Sequence, residues 1–260
     1  MTPTQRRAEL RKRARERLAA RIQELGLSPE QKTMAKRLYS IFVDHSKLVA
    51  RALPFRLNLE EIAEVRAWIK TVKSPWEDID FDKEKNPKCL RRQRLLWKNY
   101  TQKSKEEPLS ARLYTKTELA RHKPLPHCLA RLFEIFLAWH GLNTLFVLKL
   151  LRAYAGCNYQ NTHCDCPEMQ NGGRVPAAAA QFEAMIALEP DTNRTAIVVG
   201  STEHIISQGC LHVWKGTYPH SGATYFDDND RLFMCVGSRR FPMSLFVGFP
   251  DDDGSDSESA

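Results

Sequence analysis

The 260-residue sequence lacks the short motifs that mark much of the known catalytic machinery. It has no phosphate-binding loop, no dinucleotide-binding glycine pattern after a strand, no His-Glu-x-x-His and no Gly-x-Ser-x-Gly. The zinc deaminase pattern, His-x-Glu followed by Pro-Cys-x-x-Cys, is also missing. We therefore predict that the protein is not an enzyme.

The sequence also lacks an uninterrupted apolar run and a disulfide framework. Its most apolar stretch, residues 129–151, contains Arg131, Glu134 and Lys149, which would be costly in a bilayer. The seven cysteines are an odd number, and no apolar signal segment opens the sequence. We expect a protein of the nucleus and cytoplasm, with no membrane partner.

Charge is segregated along the chain, whose formal net charge is +8. Between Arg6 and Arg21 eight residues are basic and two are acidic, among strong helix formers. This pattern predicts an exposed helix or a frayed arm, and the alternatives are nuclear import or contact with nucleic-acid phosphates. The candidate residues are Arg6, Arg7, Arg11, Lys12, Arg13, Arg15 and Arg17.

The last ten residues are acidic and too polar to bury a core, so we expect a disordered tail over 251–260. Its serines are flanked by acidic residues. Ser255, Ser257 and Ser259 are therefore candidates for phosphorylation, and an unmodified solubilising tail is the alternative.

Apolar periodicity predicts helices in the first half of the chain and strands in the last part. The predicted helices cover 30–53, 59–72, 90–100 and 127–155, the last broken near Gly141. The predicted strands cover 195–199, 210–214, 232–236 and 243–249. These elements indicate an α+β fold in which a mostly antiparallel sheet packs on a long hydrophobic helix.

Four regions follow from this pattern. We predict a basic helical or disordered arm over 1–28, a helical N-terminal region over 29–108, an α+β zinc-binding domain over 109–250 and the acidic tail over 251–260.

Three cysteines and one histidine lie within ten residues, and this cluster indicates a metal. Thiolate and imidazole are the ligands that zinc prefers, although no Cys-x-x-Cys pair repeats here. A closed structural site would join distant segments. The candidate ligands are Cys128, Cys157, His163, Cys164 and Cys166.

Two other interpretations of these residues stay open. Cys128, Cys210 and Cys235 have the character of small apolar core residues. Glu203 and His204 together suggest a zinc hydrolase, which ranks last because it needs an open metal position and a base.

The order of short motifs from Tyr114 onward resembles the 34 kDa protein family of adenovirus early region four. The resemblance covers roughly the C-terminal 140 residues. It rests on the segments Thr115–Leu119, His127–Leu129, His163–Pro167, Gly172–Val175, Cys210–Trp214 and the late Cys235.

That resemblance implies a zinc-binding viral early regulatory protein of the host nucleus and cytoplasm. Such a protein acts as a substrate adaptor of a cullin-RING ubiquitin ligase, through elongins, together with a second viral early protein. Leu125-Pro-His-Cys128 is one residue short of an elongin box, so this chain departs from the family there.

An adaptor needs an exposed apolar helix face, and its candidate residues are Leu129, Leu132, Phe133, Phe136 and Leu137. The alternative is that these side chains are core. A second functional hypothesis is a basic nucleic-acid-binding viral protein that contacts RNA or DNA phosphates through 6–21 and 88–105.

Overall fold

Antiparallel strands dominate the structure, a computed structural model that describes residues 2–39, 50–79, 91–101, 112–115, 118–119, 124–140, 144–163, 182–216 and 218–238. Its longer helices are α1 (Pro3–Glu24), α2 (Pro29–Tyr39), α3 (Leu59–Thr71) and α4 (His127–His140). The first six strands are β1 (Ala50–Arg56), β2 (Glu77–Asp78), β3 (Arg91–Lys98), β4 (Tyr100–Thr101), β5 (Arg112–Leu113) and β6 (Thr144–Ala153). The others are β7 (Phe182–Ala187), β8 (Ala196–Val199), β9 (Thr202–Ile205), β10 (Cys210–Lys215), β11 (His220–Gly222) and β12 (Asn229–Ser238).

Two sheets form the body of the fold. The larger has seven strands in the order β1-β10-β7-β12-β6-β3-β2, and the smaller has three in the order β11-β8-β9. All neighbouring strands in both sheets run antiparallel. Two facing antiparallel sheets with strands that cross between distant positions make a jelly-roll-like architecture.

Alternation along the strands separates two apolar cores. On β12, Leu232, Met234 and Val236 point to the core shared with the helices, whereas Phe233 and Cys235 point to a second core. That second core also contains Ile197 and Val199 of the smaller sheet, so it lies between the sheets. Because successive side chains face opposite sides, a residue's position in its strand decides which core it enters.

The helix α4 covers the outer face of the larger sheet. Its Phe136 ring lies 5.8 Å from the Phe146 ring and 5.1 Å from the Phe182 ring, measured between centroids. Aromatic pairs at these separations stabilise the packing beyond the area that they bury.

This packing corrects the predicted docking face. Leu129, Leu132, Phe133 and Phe136 are buried in the outer core, and Leu137 packs against it. The five side chains face the sheet, because its outer face is apolar and must be covered. They do not form an exposed face.

Two predicted helices are strands. The apolar run that follows α4 is β6, which lies between β12 and β3 in the larger sheet. The predicted basic helix over 90–100 is β3. A strand buried on both faces loses its alternation, so a short apolar run cannot be told from a helix by periodicity alone.

These differences correct the fold class. The predicted α+β arrangement with a long hydrophobic helix is wrong, since the architecture is a mostly antiparallel jelly-roll with short covering helices. β1, β2 and β3, from the predicted helical N-terminal region, belong to the same sheet as β6 and β12.

Other predictions agree with the structure. α3 forms where helical spacing placed it, and a capping box between Asn58 and Glu61 begins it. The strands predicted near 196, 210 and 232 are β8, β10 and β12. The predicted strand over 243–249 and the acidic tail lie outside the described residues.

The basic segment forms α1, whose C-terminal part enters the core. Leu18 and Ile22 are buried, and they join the outer core beneath the helices. Nuclear import and phosphate contact by the basic residues stay predictions. Among the described helices, none has the length and apolarity needed to cross a membrane.

The position of β6 in the sheet can be tested by truncating one of its side chains. Leu150 is 1% exposed in the outer core, so we expect Leu150→Ala to lower the free energy of unfolding by about 2–5 kcal/mol. Urea denaturation measures the change. Leu59→Ala, at a leucine that is 71% exposed, is the control and should cost less than about 0.5 kcal/mol. Equal effects of the two substitutions would contradict the packing described for β6.

Candidate functional site

Polar and charged side chains are buried between the two sheets. Arg91, Lys149, Glu183 and Arg231 are each less than 10% exposed, and cross-strand pairing places each of them on the inner face of the larger sheet. Burying a charge costs several kcal/mol unless a partner compensates it. A cluster of such groups in a protein interior therefore indicates a functional site.

Two histidines face each other at this site. His163 follows β6 and His220 begins β11, and the two residues form an isolated antiparallel bridge. The backbone N–H of each donates to the carbonyl of the other, at 2.9 and 2.8 Å. The ring centroids are consequently 4.5 Å apart.

Backbone carbonyls fix the tautomer of both rings. Nδ1 of His163 lies 2.8 Å from the Asn161 carbonyl oxygen, and Nδ1 of His220 lies 3.2 Å from the Tyr218 carbonyl oxygen. A carbonyl only accepts, so each Nδ1 donates its hydrogen and each neutral ring carries its lone pair on Nε2. Metal-binding histidines are oriented in the same way.

The spacing of the rings fits one shared ion. Two imidazoles that bind an ion through Nε2 at about 2.1 Å, at right angles, have ring centroids roughly 4.5 Å apart. The observed separation is 4.5 Å. The described residues contain no group of three His, Cys, Asp or Glu side chains that could hold a metal, so a metal at the two rings would need a further ligand.

A carboxylate and an indole lie beside His220. Oε2 of Glu183 is 3.4 Å from Nε2 of His220, and the Trp214 ring centroid is 5.6 Å from the His220 ring centroid. All three side chains are less than 5% exposed. The environment of His220 is therefore dry, whereas His163 is half-buried.

Two arginines share one aromatic ring further along the same interior. The guanidinium carbon of Arg91 lies 5.4 Å from the centroid of the Tyr225 ring, and that of Arg231 lies 4.7 Å from it. The Tyr225 hydroxyl donates to the Ala196 carbonyl oxygen at 2.6 Å, which fixes the ring. Cation–π contact compensates part of the cost of burying both cations.

Arg231 is the less compensated of the two. Its side chain is 2% exposed, and Nη1 donates to the Asn229 carbonyl oxygen at 3.3 Å. Its Nε hydrogen has no hydrogen-bond partner in the described part of the chain. Burial lowers the pKa of Arg231; Tyr225 opposes this shift, and the neighbouring charge of Arg91 adds to it. An anion would relieve both penalties.

Arg91 is held against the smaller sheet. Its Nη2 donates to the carbonyl oxygens of Asn158 at 2.7 Å and Ala223 at 2.5 Å. Gly222 passes so close to Nη1 that any Cβ there would collide with it. The glycine thus permits the arginine to reach the interior.

The site is electropositive and bordered by small side chains. The described inner face of the larger sheet carries Arg91, Lys149 and Arg231 against the carboxylate of Glu183. Ala187 lies opposite Arg231, and Ala153 lies opposite Arg91. Such an interior suits a small anion with more than one negative charge.

The predicted thiolate ligands do not converge in the described structure. Cys128 is buried in the outer core, and burial raises the pKa of its thiol to about 11, so the neutral form persists. Cys157 is buried with Ala153 and Tyr225 in a separate cluster. Cys164 and Cys166 lie outside the described residues. Of the three predicted ligands that the structure describes, only His163 stands at the histidine pair.

Solved structures of known enzymes are similar to this chain, although no family model and no curated protein matches its sequence. A prolyl hydroxylase from Trichoplax adhaerens, in complex with a peptide fragment of the hypoxia inducible factor oxygen degradation domain, has a TM-score of 0.52. It is 9% identical, over 87% of this chain and 100% of that chain. The chain shares the fold of that structure.

Two further structures are similar at lower scores. An oxidoreductase of the 2OG-Fe(II) oxygenase family from Burkholderia pseudomallei has a TM-score of 0.46 and 14% identity, over 78% of this chain and 90% of that chain. A prolyl-4-hydroxylase from Pseudomonas putida has a TM-score of 0.46 and 13% identity, over 77% and 98%.

The fold overturns the viral interpretation. The resemblance to the adenovirus family is wrong, and the ligase-adaptor function, the nucleic-acid-binding alternative and the prediction of a non-enzyme fall with it. Zinc held by these thiolates is corrected as well, since Cys128 and Cys157 lie in separate clusters and the Cys128 thiol stays protonated. The elongin, cullin and second viral partners lose the resemblance that implied them.

The Glu203 and His204 pair does not form a hydrolytic site either. The Glu203 carboxylate pairs with Arg194 at 2.5 Å. The His204 ring instead lies 4.9 Å from the ring of His212, between centroids.

Sequence reasoning found His163 and missed the other side chains of this site. The missed residues are Arg91, Glu183, His220, Tyr225 and Arg231. One signal was present: His163 and Asp165 are two apart, so an extended segment would place both on one side. The neighbouring cysteines favoured a thiolate interpretation of the same segment.

Burial of His212 predicts a loss of stability in acid. Burial first, and then the nearby His204, lower the pKa of His212 to about 4. His212 binds a proton near pH 6.5 in the unfolded chain but only near pH 4 in the folded chain. The free energy of unfolding therefore falls as the pH drops through this window. The loss should reach about 3 kcal/mol.

Urea denaturation of the wild type and of His212→Gln between pH 7 and pH 4.5 measures this effect. The difference between the two proteins isolates His212 from the other titrating groups. The variant should lose less stability than the wild type on acidification. Parallel pH profiles would contradict the account.

Proposed function

We propose that the protein is an iron(II)- and 2-oxoglutarate-dependent oxygenase. The observation that carries the proposal is the His163–His220 pair, whose Nδ1 atoms both lie against backbone carbonyls and leave Nε2 as the nitrogen that can bind a metal, beside an interior that holds Arg91 and Arg231. Two histidines and one carboxylate with open positions are the ligands of non-haem iron oxygenases. The prolyl hydroxylase fold supports the assignment.

His163 and His220 would hold the metal together with a carboxylate. Asp165 is the candidate, because it follows His163 by two residues, although it lies outside the described residues. Hydrogen bonds from each Nδ1 to a carbonyl orient the rings before the ion arrives. Such supporting contacts raise both the basicity and the positional order of metal-binding imidazoles.

Arg231 and Arg91 would bind the carboxylate of 2-oxoglutarate that is remote from the metal. A guanidinium recognises a carboxylate by parallel N–H···O bonds, and the unpaired Nε of Arg231 is a donor in the described structure. The anion would also neutralise two like charges that share the Tyr225 ring.

When bound, iron(II) supplies the redox chemistry that couples decarboxylation of 2-oxoglutarate by dioxygen to hydroxylation of a second substrate. The protein's own part is to hold and shield the reactants. Trp214, Phe233 and Ile197 line the interior with apolar surface and exclude water.

Removing either imidazole should abolish turnover. We expect His163→Ala and His220→Ala each to lower succinate formation from 2-oxoglutarate, with iron(II) and oxygen present, by at least about 100-fold, because each deletes a ligand. Succinate is measured by mass spectrometry. His127→Ala, at an exposed histidine of α4, is the matched control and should retain activity. Full activity in either site variant would refute the proposal.

Arg231 should govern the affinity for 2-oxoglutarate. Arg231→Lys keeps the charge and loses the planar fork, so we expect the dissociation constant to rise by about 10–100-fold, which corresponds to one or two charge-assisted hydrogen bonds. Calorimetric titration of the metal-loaded protein measures it. Arg92→Lys, at an exposed arginine that pairs with Asp78, is the control. Unchanged affinity in Arg231→Lys would remove this residue from the site.

A further inference from the structure

We propose that His204 and His212 form a second metal site, for a divalent late transition-metal ion such as nickel(II) or copper(II). The inference goes beyond the proposed function, since neither histidine belongs to the oxygenase site described above. His204 lies on β9 of the smaller sheet, and His212 lies on β10 of the larger sheet. An ion bound by both side chains would therefore join the two sheets.

Strand pairing turns both side chains into the space between the sheets. His204 lies opposite Ile197 on β8, and His212 lies opposite Met185 on β7. Ile197 and Met185 are both buried in the core between the sheets. Because directly opposite residues of antiparallel strands share a face, the two imidazoles meet in that core from opposite sides.

The separation of the two rings fits one shared ion. Two imidazoles that bind one ion through nitrogen at about 2.1 Å have centroids roughly 4.5 Å apart at a right angle and roughly 5.2 Å apart at the tetrahedral angle. The centroids of the His204 and His212 rings are 4.9 Å apart. The observed separation lies between these limits, so the rings are spaced for a common ion.

Nε2 of His212 is buried without a hydrogen-bond partner among the described residues. The residue is 5% exposed. An unpaired polar atom in an interior is unfavourable, and each such atom in a native structure calls for a physical explanation. An ion bound at Nε2 supplies the missing partner, because the neutral ring can carry its hydrogen on Nδ1.

The donor set decides the class of ion. The described residues contain no group of three His, Cys, Asp or Glu side chains that could hold a metal, so water must complete the coordination of this ion. His204 is only half-buried, which gives water access to the site. Nitrogen ligands bind nickel(II) and copper(II) more tightly than iron(II), so a pair of imidazoles favours the later ions.

Nickel(II) titration of the metal-free full-length protein, followed by calorimetry, tests the proposal without depending on turnover. We expect a separate binding event for this histidine pair. His204→Gln and His212→Gln should each raise the dissociation constant of that same event by at least about 10-fold, because each removes a ligand. His127→Gln, at an exposed histidine of α4, is the matched control and should leave nickel(II) binding unchanged.

Unchanged nickel(II) binding in either His204→Gln or His212→Gln overturns the inference, because a shared ion needs both rings. His163→Ala separates this site from the oxygenase site. Loss of the His204 and His212 event in His163→Ala would also overturn the inference, whereas no change of any event in that variant would refute the proposed function alone. His204→Gln keeps the test decisive if His212→Gln does not fold, since His204 is only half-buried.

Discussion

The reciprocal backbone bridge between His163 and His220 is the contact on which the site depends. It ties the segment after β6, in the larger sheet, to the first residue of β11, in the smaller sheet. The position of each histidine therefore depends on the other segment as well as on its own. The bridge sets the ring separation, and the carbonyl at each Nδ1 leaves the lone pair of each neutral ring on Nε2.

The rest of the interior follows from the need to compensate buried charge. Arg91 and Arg231 both extend inward to the Tyr225 ring from strands of the larger sheet. Arg91 donates to the carbonyl oxygens of Asn158 and Ala223, and Gly222 leaves room for its guanidinium. The guanidiniums and the two imidazoles lie at different places in this interior. An anion bound at the guanidiniums would therefore extend toward the histidines. The described helices α1 to α4 instead pack in the outer core, on the other face of the larger sheet.

Local physics made part of the fold predictable. α3 has helical spacing and a capping box, and β8, β10 and β12 are β-branched or aromatic runs between turn residues. β6 and β3 were not predictable, because partners distant in sequence decide their conformation. Leu148 and Leu150 would fit a helix equally well, and only the pairing of β6 with β12 and β3 selects the strand.

The site was predictable at one residue. His163 was predicted as a ligand because cysteines lie next to it. The described structure pairs it with His220, 57 positions later, and no local spacing in the sequence predicts that pairing. Arg91 and Arg231 were not predicted as residues of this site either. Arginines are mostly exposed, and only the tertiary structure shows that these two are buried.

X-ray absorption at the iron edge of the iron-loaded protein tests the central claim most directly, because it identifies the atoms around the metal. The account predicts a shell of nitrogen and oxygen near 2.1 Å, with the outer scattering of two imidazole rings and no sulfur. A sulfur shell near 2.3 Å, or the absence of imidazole scattering, would contradict it.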